Sequence, residues 1–370
     1  MLYLGIDQHA SQLTVDLGNE AGDLVLHRQV KTNTRSLHEF LRSIGDRARR
    51  EGGYRAIVEV CGFNTYLLNL LEKFGCDEVV LVQPEERSNQ KTDRRDARAL
   101  RELLWVNRDR FAEGKRPAKM RVVRPASEDD AADRQLTNMR KSLTDHRTKV
   151  INKVRNLLRK WNLQHDCPTK GIQTKRARAW LGTLELPEMD RLEMNILLEQ
   201  WDLLNSQLER VNRGTKKRYE ESPVARILGS IPGMSYFSAL SVASRIGDIE
   251  DFPRSGSLAN FWGLTPGSRN SGNSAASLGI TKAGSSHVRY VLGQVVLHVL
   301  RQDAWMREWY RKVKRRRGSK IARVAVMRRL ATIIWSMVKY KMAYVRGGPE
   351  KFKEYMSEHQ KFFGAATSAA

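Results

Sequence analysis

The sequence predicts an α/β domain followed by all-α segments: a mixed sheet with helices on its faces, two long central helices, and a mostly helical C-terminal domain. Three observations carry this expectation. The N-terminal third runs strand-strand-strand-helix-strand-helix-strand-helix when read by hydrophobic period. The middle of the chain carries apolar residues at spacings of three and four along two extended stretches. After a Gly/Ser-rich interruption, residues 287–345 return to a helical pattern.

Taken in order, residues 2–6 form a buried strand ending at Asp7, and residues 12–18 alternate as a half-buried strand does. Asn19-Glu20-Ala21-Gly22 is a turn, and residues 23–31 make a third strand, so the three form an antiparallel meander. Ser36 can cap a helix through about Arg50, with Leu37, Phe40, Leu41 and Ile44 on one face. Gly52-Gly53 ends it. Ala56-Ile57-Val58-Glu59-Val60 is a short buried strand. A helix from about Asn64 to Phe74 is closed by Gly75. Glu78-Val79-Val80-Leu81-Val82 is a fifth strand, Pro84 breaks it, and a polar helix spans Asp93 to Val106. A meander followed by alternating strands and helices matches the ribonuclease H-like layout. These elements define a domain over 1–107.

Residues 108–127, basic and carrying Pro117 and Pro125, read as a linker. A basic helix covers 128–163 with Leu136, Leu143, Val150, Val154, Leu157 and Trp161 as its seam. A second, at 190–218, has Met194, Leu197, Trp201, Leu204, Leu208 and Val211. An antiparallel coiled coil used for dimerisation over 128–221 and two amphipathic helices of an ordinary bundle are equally good readings. Residues 222–363 form a C-terminal domain. In it Ile231-Pro232-Gly233-Met234 separates two short helical patterns, 263–286 is expected to be a loop, and a basic run over 311–317 interrupts the last helices. Residues 364–370 read as a frayed tail.

Charge narrows the function classes. Lys and Arg number 65 against 41 Asp and Glu, a formal net charge of +24. Such an excess calls for a polyanionic partner. No apolar run approaches the ~18 residues of a membrane span. The N-terminus lacks the basic region and cleavage site of a secretory signal. Cys61, Cys76 and Cys167 are odd in number and widely spaced, which suits a reducing cytosol and neither a disulfide framework nor a zinc site. The expectation is a cytoplasmic, nucleoid-associated bacterial protein whose partner is nucleic acid.

Two-metal phosphoryl chemistry needs several carboxylates converging within a few Å, because hard cations such as Mg²⁺ take oxygen ligands. A ribonuclease H-like sheet supplies one acid on its first strand, one at the end of its fourth, and one or two on its last helix. Asp7, Glu59, and the pair Asp93 and Asp96 stand at those places. Each alone has a plainer explanation: a turn acid for Asp7, a helix cap for Asp93, a solvated charge cluster for Asp96 beside Arg94, Arg95 and Arg98. Glu59, flanked by apolar residues, is the costliest to keep without a partner. Their joint occurrence in the right order favours a metal site.

These residues resemble a family. Leu4-Gly5-Ile6-Asp7, Val58-Glu59-Val60-Cys61-Gly62 and Lys91-Thr92-Asp93-Arg94-Arg95-Asp96-Ala97-Arg98 look like the Asp-Glu-Asp-Asp signature of the IS-one-ten family of insertion-sequence transposases, which includes the Piv-type DNA invertases. Ser230-Ile231-Pro232-Gly233-Met234, Phe261-Trp262-Gly263-Leu264-Thr265-Pro266, Ser271-Gly272-Asn273-Ser274, Thr281-Lys282-Ala283-Gly284 and Arg289 resemble its second conserved domain. The resemblance implies a RuvC-like N-terminal domain whose four acids bind Mg²⁺, in a two-metal site. It implies a C-terminal serine, Ser271 by motif, that becomes covalently joined to DNA. It also implies dimers formed through the central helices that pair into tetramers, active sites shared between subunits, and guidance by a structured non-coding bridge RNA that pairs with donor and target DNA. Ser235 stands where the family often has a second glycine.

Read from the residues alone, a nucleophilic serine needs activation and a phosphate needs positive charge. Arg269 precedes Ser271, and Lys282, His287 and Arg289 follow, while no Asp or Glu occurs between Asp251 and Asp303. A Ser-His-Asp triad is therefore poorly supported. A flexible Ser/Gly linker is the plain alternative, and Ser268, Ser274 and Ser277 rival Ser271. Arg315, Arg316 and Arg317 lead a second basic patch suited to phosphate. Trp305, Trp309 and Tyr310 could stack on bases or belong to the core. Two other functions stay open: a Holliday-junction-type nuclease using metal-activated water, and a non-catalytic nucleic-acid binding protein.

Overall fold

The computed structural model describes residues 1–84, 93–271 and 274–367, and their side chains except at 84, 93–95, 268–271, 274–278 and 359–367. The chain divides into two compact units, Met1–Pro125 and Ala126–Ala370.

The first unit contains β1 (Leu2–Gln8), β2 (Gln12–Gly18), β3 (Leu24–Lys31), α1 (Thr34–Ala48), β4 (Tyr54–Glu59), α2 (Thr65–Lys73), β5 (Glu78–Pro84), α3 (Asp93–Val106), α4 (Arg108–Ala112) and β6 (Met120–Val122). Its sheet order is β3-β2-β1-β4-β5-β6. The meander β1-β2-β3 is antiparallel, β4 and β5 extend it in parallel from β1, and β6 closes the edge antiparallel to β5. Alternation along the strands splits the core between two faces. Leu4, Ile6, Val15, Leu17 and Val58 pack with Leu41 and Leu71 of the helices α1 and α2. Ile57, Val80 and Val82 pack with Leu100 and Leu104 of α3 on the other. β6 lies in the stretch that reads as a linker. Its three residues are too few to show a period of two, yet Met120 is buried.

The second unit begins with α5 (Glu128–Lys160), α6 (Lys175–Thr183) and α7 (Glu188–Glu221). α5 and α7 run antiparallel, and their ends fix the register. Arg218 near the end of α7 bonds Asp133 (Nε–Oδ1 2.6 Å) and Asp129 at the start of α5. Lys160 and Trp161 at the other end of α5 both donate to Asp190 on α7, at 2.7 and 2.8 Å. Val150, Val154, Leu157, Met194, Leu197 and Trp201 are the buried seam. Trp161 lies beyond α5 and is 42% exposed, so it ends the seam as a hydrogen-bond donor.

Beyond these lie α8 (Pro223–Leu228), α9 (Tyr236–Ala243), α10 (Ser255–Phe261), β7 (Pro266–Ser271), β8 (Ser274–Ile280), α11 (Ser286–Gln302), α12 (Ala304–Lys339) and α13 (Gly348–Thr367). Trp262, Leu292, Val296 and Ile334 sit at the centre of their core. Three expectations are corrected. The stretch 263–286, read as a loop, carries the hairpin β7–β8. Its Ser, Gly and Ala residues have little strand propensity, but backbone pairing supplies the ladder without them. The tail is helical as far as Thr367, past Gly364. The helical region 287–345 breaks at Asp303, whose carboxylate caps α12 by accepting from Met306 N at 3.0 Å, while the basic run 311–317, read as an interruption, is itself helical. α12 itself turns at Gly318, where φ is +80° and ψ 166°, a conformation confined to glycine. No helix among the described residues is long and apolar enough to cross a membrane.

Candidate active site

The acids of the first unit gather by strand register. Ile6 of β1 lies beside Val58 of β4 in parallel pairing, so Asp7 and Glu59 follow side by side at the ends of neighbouring strands. Asp7 is two residues past Gly5, and Glu59 two past Ile57. Both therefore belong to the face that α3 covers. α3 reaches that face through Gly5. A Cβ there would stand 2.3 Å from the Ala97 carbonyl oxygen and 2.6 Å from the Arg101 nitrogen. Ala97 is buried, and Asp96 beside it is half-buried.

Further along α3, Arg101 is 4% exposed and binds Asp16 of β2 (Nε–Oδ1 2.5 Å) and the Gly22 carbonyl (2.9 Å). Asp16 also meets His27 Nδ1 at 3.2 Å. These contacts run α3 antiparallel to β1 and bring its first turn to the Asp7 end of the sheet. Asp93 opens that turn; its side chain lies outside the described residues.

The strand ends are tied together by Asn64, which is 6% exposed. Its Nδ2 donates to Gln8 Oε1 (2.9 Å) and to the Glu59 carbonyl (3.1 Å), and its Oδ1 accepts from Cys61 N (2.6 Å). Gln8 Nε2 in turn donates to the Phe63 carbonyl at 3.1 Å. One side chain thus ties Gln8, the residue after Asp7, to the Glu59 carbonyl and the Cys61 N–H. Asp7 is 14% exposed, and its Oδ2 lies 3.0 Å from His9 Nε2.

Asp7 and Glu59 share one face and one end of the sheet, and Asp96 stands one residue before Ala97, whose carbonyl faces Gly5. Among the described residues no three His, Cys, Asp or Glu side chains stand close enough to hold a metal ion. Two observations fit a divalent cation to the place nonetheless. The donors are all carboxylate oxygens, the ligands such ions prefer. Thr14, directly across β2 from Asp7 and fully buried, has an Oγ1 with no hydrogen-bond partner among the described residues. A buried hydroxyl without a partner is costly, and a hydrated ion beside Asp7 would satisfy it.

The second unit carries the serine hairpin. Register pairs Ser268 with Ser277, Arg269 with Ala276, and Ser271 with Ser274, so Ser271 is the last paired residue of β7. The side chains of Arg269, Ser271 and the rival serines, and all of Gly272 and Asn273, lie outside the described residues. The hairpin base is described. Thr281 N donates to the Thr265 carbonyl (3.0 Å) and Lys282 N to that of Gly263 (3.2 Å). Gly284 crosses so close to Phe261 that any Cβ would collide with its carbonyl, and Gly263 has φ +65° against Ala283. Arg289 braces the crossing, donating to the carbonyls of Trp262 (3.1 Å) and Gly284 (2.6 Å).

The two glycine-bearing motifs noted in the sequence are thus the two sides of one crossing. Lys282 is exposed, with φ +55°. His287 is buried against Ser241 (Nε2–Oγ 3.2 Å), and burial, aided by the charges of Arg245 and Lys141, pushes its pKa down to about 4. It is neutral at neutral pH and engaged with Ser241 of α9. Arg315, Arg316 and Arg317 are exposed at the Gly318 turn of α12.

Sequence reasoning missed Thr14, Asp16, Asn64 and Arg101. Thr14 and Asp16 left a signal, as polar residues at alternate positions of a buried strand. Asn64 and Arg101 left none that local pattern could separate from an ordinary cap or surface charge.

An acid-bearing mixed sheet followed by a mostly helical region is consistent with a nuclease-like domain. Comparison with known proteins gives the family. Residues 4–162 match a transposase model of the Asp-Glu-Asp-Asp, IS110 type, and residues 225–311 match the model described as the transposase IS116/IS110/IS902 family. The chain is 29% identical over 311 residues, 78% of each chain, to the transposase for insertion sequence element IS1111A of Coxiella burnetii. It is 24% identical over 284 residues to the transposase for IS1328 of Yersinia enterocolitica, covering 75% of this chain and 81% of that one. It is 26% identical over 309 residues to a probable family 20 transposase of Pseudomonas aeruginosa, covering 78% and 85%. The chain belongs to the IS110 family of transposases, enzymes that act on DNA, and the N-terminal match implies dependence on a divalent metal.

Proposed function

We propose that the chain is a site-specific recombinase of an insertion sequence, in which Asp7, Glu59, Asp93 and Asp96 hold Mg²⁺ and Ser271 attacks DNA. The observation that carries this reading is the common end and face of the sheet shared by Asp7, Glu59 and the start of α3. When bound, the metal supplies Lewis-acid stabilisation of charge developing on the phosphate. The chain's own residues do the rest. Asn64 and Gln8 hold the two strand ends, and Arg101 with Asp16 holds α3 against them. The Ser271 oxygen forms a bond to phosphorus as the bond to one sugar oxygen breaks. The serine gives up its proton and the leaving oxygen gains one. His287 bonds Ser241, and burial makes it a weak base, so this reading assigns activation of the serine to metal held on the acids of another subunit.

Arg269, Lys282, Arg289, Arg315, Arg316 and Arg317 contact nucleic-acid phosphates in this reading. Arg289 does so with N–H groups beyond those spent on the hairpin base. A bridge RNA selects donor and target by pairing, as in other RNA-guided enzymes. Dimers form through the central helices and pair into tetramers. Met189, Leu192, Ile196 and Leu203 support this, as an exposed apolar stripe on α7 at heptad-like spacing, apart from the seam that meets α5. The domain limits near 127 and 221 belong to the same proposal, with α4 and β6 counted in the first domain.

The test uses full-length protein, element-end DNA with its co-purified RNA, and Mg²⁺. Wild type is expected to give a covalent protein–DNA adduct on denaturing gels. Ser271→Ala and Asp96→Asn are expected to give none. Free DNA ends without adduct would replace this reading with a hydrolytic nuclease, and no metal-dependent change in DNA would replace it with a binding protein.

A further inference from the structure

The second unit carries a half-open cavity of about 270 Å³ bounded by α10, both arms of α12, residues 342–345 and the start of α13. α12 folds back at Gly318, so Arg329 of its second arm packs on Trp305 and Trp309 of its first, with its guanidinium carbon 4.7 and 4.3 Å from the ring centroids. The guanidinium thus lies over the faces of both indoles. Its in-plane N–H donors have no hydrogen-bond or ion-pair partner among the described residues, and Arg329 lines the cavity.

A half-buried guanidinium, stacked and without an acceptor, is a fork shaped for a phosphate or carboxylate. Burial lowers its pKa, a cost that a bound anion would offset. Asp303 also lines the cavity but makes no ion pair with Arg329. Its oxygens take Met306 N at 3.0 Å and the Tyr344 hydroxyl at 2.8 Å. No carboxylate occurs between Glu308 and Glu350 in the sequence. The surrounding segment therefore attracts polyanions, which selects phosphate.

A phosphate alone would leave most of this volume empty. The remaining wall, with Ile333, Met337 and Phe352 beside Thr332 and Ser336, suits the flat face of a nucleobase.

We propose that this cavity receives one unpaired nucleotide of a bound DNA or RNA strand, with its phosphate on the edge of Arg329 and its base against the apolar wall. The proposal relies on nucleic acid being the ligand of this chain and not on the acids or Ser271.

The experiment measures binding of full-length protein, in EDTA, to a duplex carrying a single extrahelical 2-aminopurine and to the fully paired duplex, each as DNA and as RNA. Wild type is expected to prefer the bulged duplex by about tenfold, with a change in 2-aminopurine emission. The nucleic acid that shows the preference identifies the strand. Arg329→Met is expected to abolish the preference while binding the paired duplex within about twofold of wild type. Ser336→Trp, which fills the cavity and keeps Arg329, is expected to abolish it too, and serves if Arg329→Met fails to fold. Asp96→Asn is expected to keep it, which separates this site from the acid site. Equal affinity for bulged and paired duplexes in both nucleic acids, or a preference that survives Ser336→Trp, overturns the proposal.

Discussion

Replacing Gly5 with alanine probes the packing that brings α3 to the acid-bearing end of the sheet. The added Cβ would lie 2.3 Å from the Ala97 carbonyl oxygen and 2.6 Å from the Arg101 nitrogen, where ordinary contact begins at 3.4 Å. Both obstacles are backbone, so no side chain can swing aside, and α3 must retreat by about 1 Å. Gly5 does not have positive φ, so alanine gains about 0.5–1 kcal/mol from a less flexible unfolded chain. Against this stand about 1–3 kcal/mol of overpacking. Loosening of the buried Arg101–Asp16 pair adds to that, since breaking such a pair outright costs about 3–5 kcal/mol. The net expectation is a loss of about 2–4 kcal/mol in urea denaturation. Where the variant remains folded, metal-dependent DNA cleavage is expected to fall about a hundredfold, because a shift of this size spoils the convergence of reacting groups. A Gly5→Ala protein with wild-type stability and wild-type cleavage would refute the claim that α3 touches β1 at this residue.

Asn64→Leu keeps the branched heavy-atom outline but strands the Glu59 carbonyl and the Cys61 N–H in a buried place; it is expected to cost about 2–3 kcal/mol in denaturant titration and to lower cleavage further than stability explains. His287 gives a pH signature. Its folded pKa of about 4 lies below the unfolded value near 6.5, so its contribution is complete above about pH 6.5 and is lost as pH falls toward 4. The loss amounts to about 3 kcal/mol, and His287→Gln is expected to flatten the stability profile in that window; an equally steep profile in the variant would contradict the assignment.

Much of the first unit could be read before any coordinates. Strand alternation separates the Ile6, Val15 and Val58 face from the Gly5, Thr14 and Ile57 face, and that separation alone aims Asp7 and Glu59 to one side. What could not be read is what holds the acids there. Asn64 looks like a helix cap, yet its side chain turns back to Gln8 and Glu59, a choice set by the neighbouring strand and invisible locally. The hairpin β7–β8 was hidden for a related reason. Its residues are small and polar, and what fixes it is the crossing of Gly263 and Gly284 with Arg289 beneath, a contact between segments about twenty residues apart. The seam of α5 and α7 was legible from spacing, whereas the polar anchors at its ends were not. Arg218 and Asp133 are ordinary surface types until the helices are set antiparallel.

Diffraction at the manganese edge from crystals soaked in Mn²⁺ addresses the acid centre with the fewest intermediate steps. An anomalous peak within coordination distance of Asp7 and Glu59, and lost in crystals of Glu59→Gln, is the outcome that follows from four carboxylates sharing a divalent ion. Crystals that show no peak between these strand ends, from protein that still cleaves DNA only when metal is present, would mean that the catalytic ion is held elsewhere.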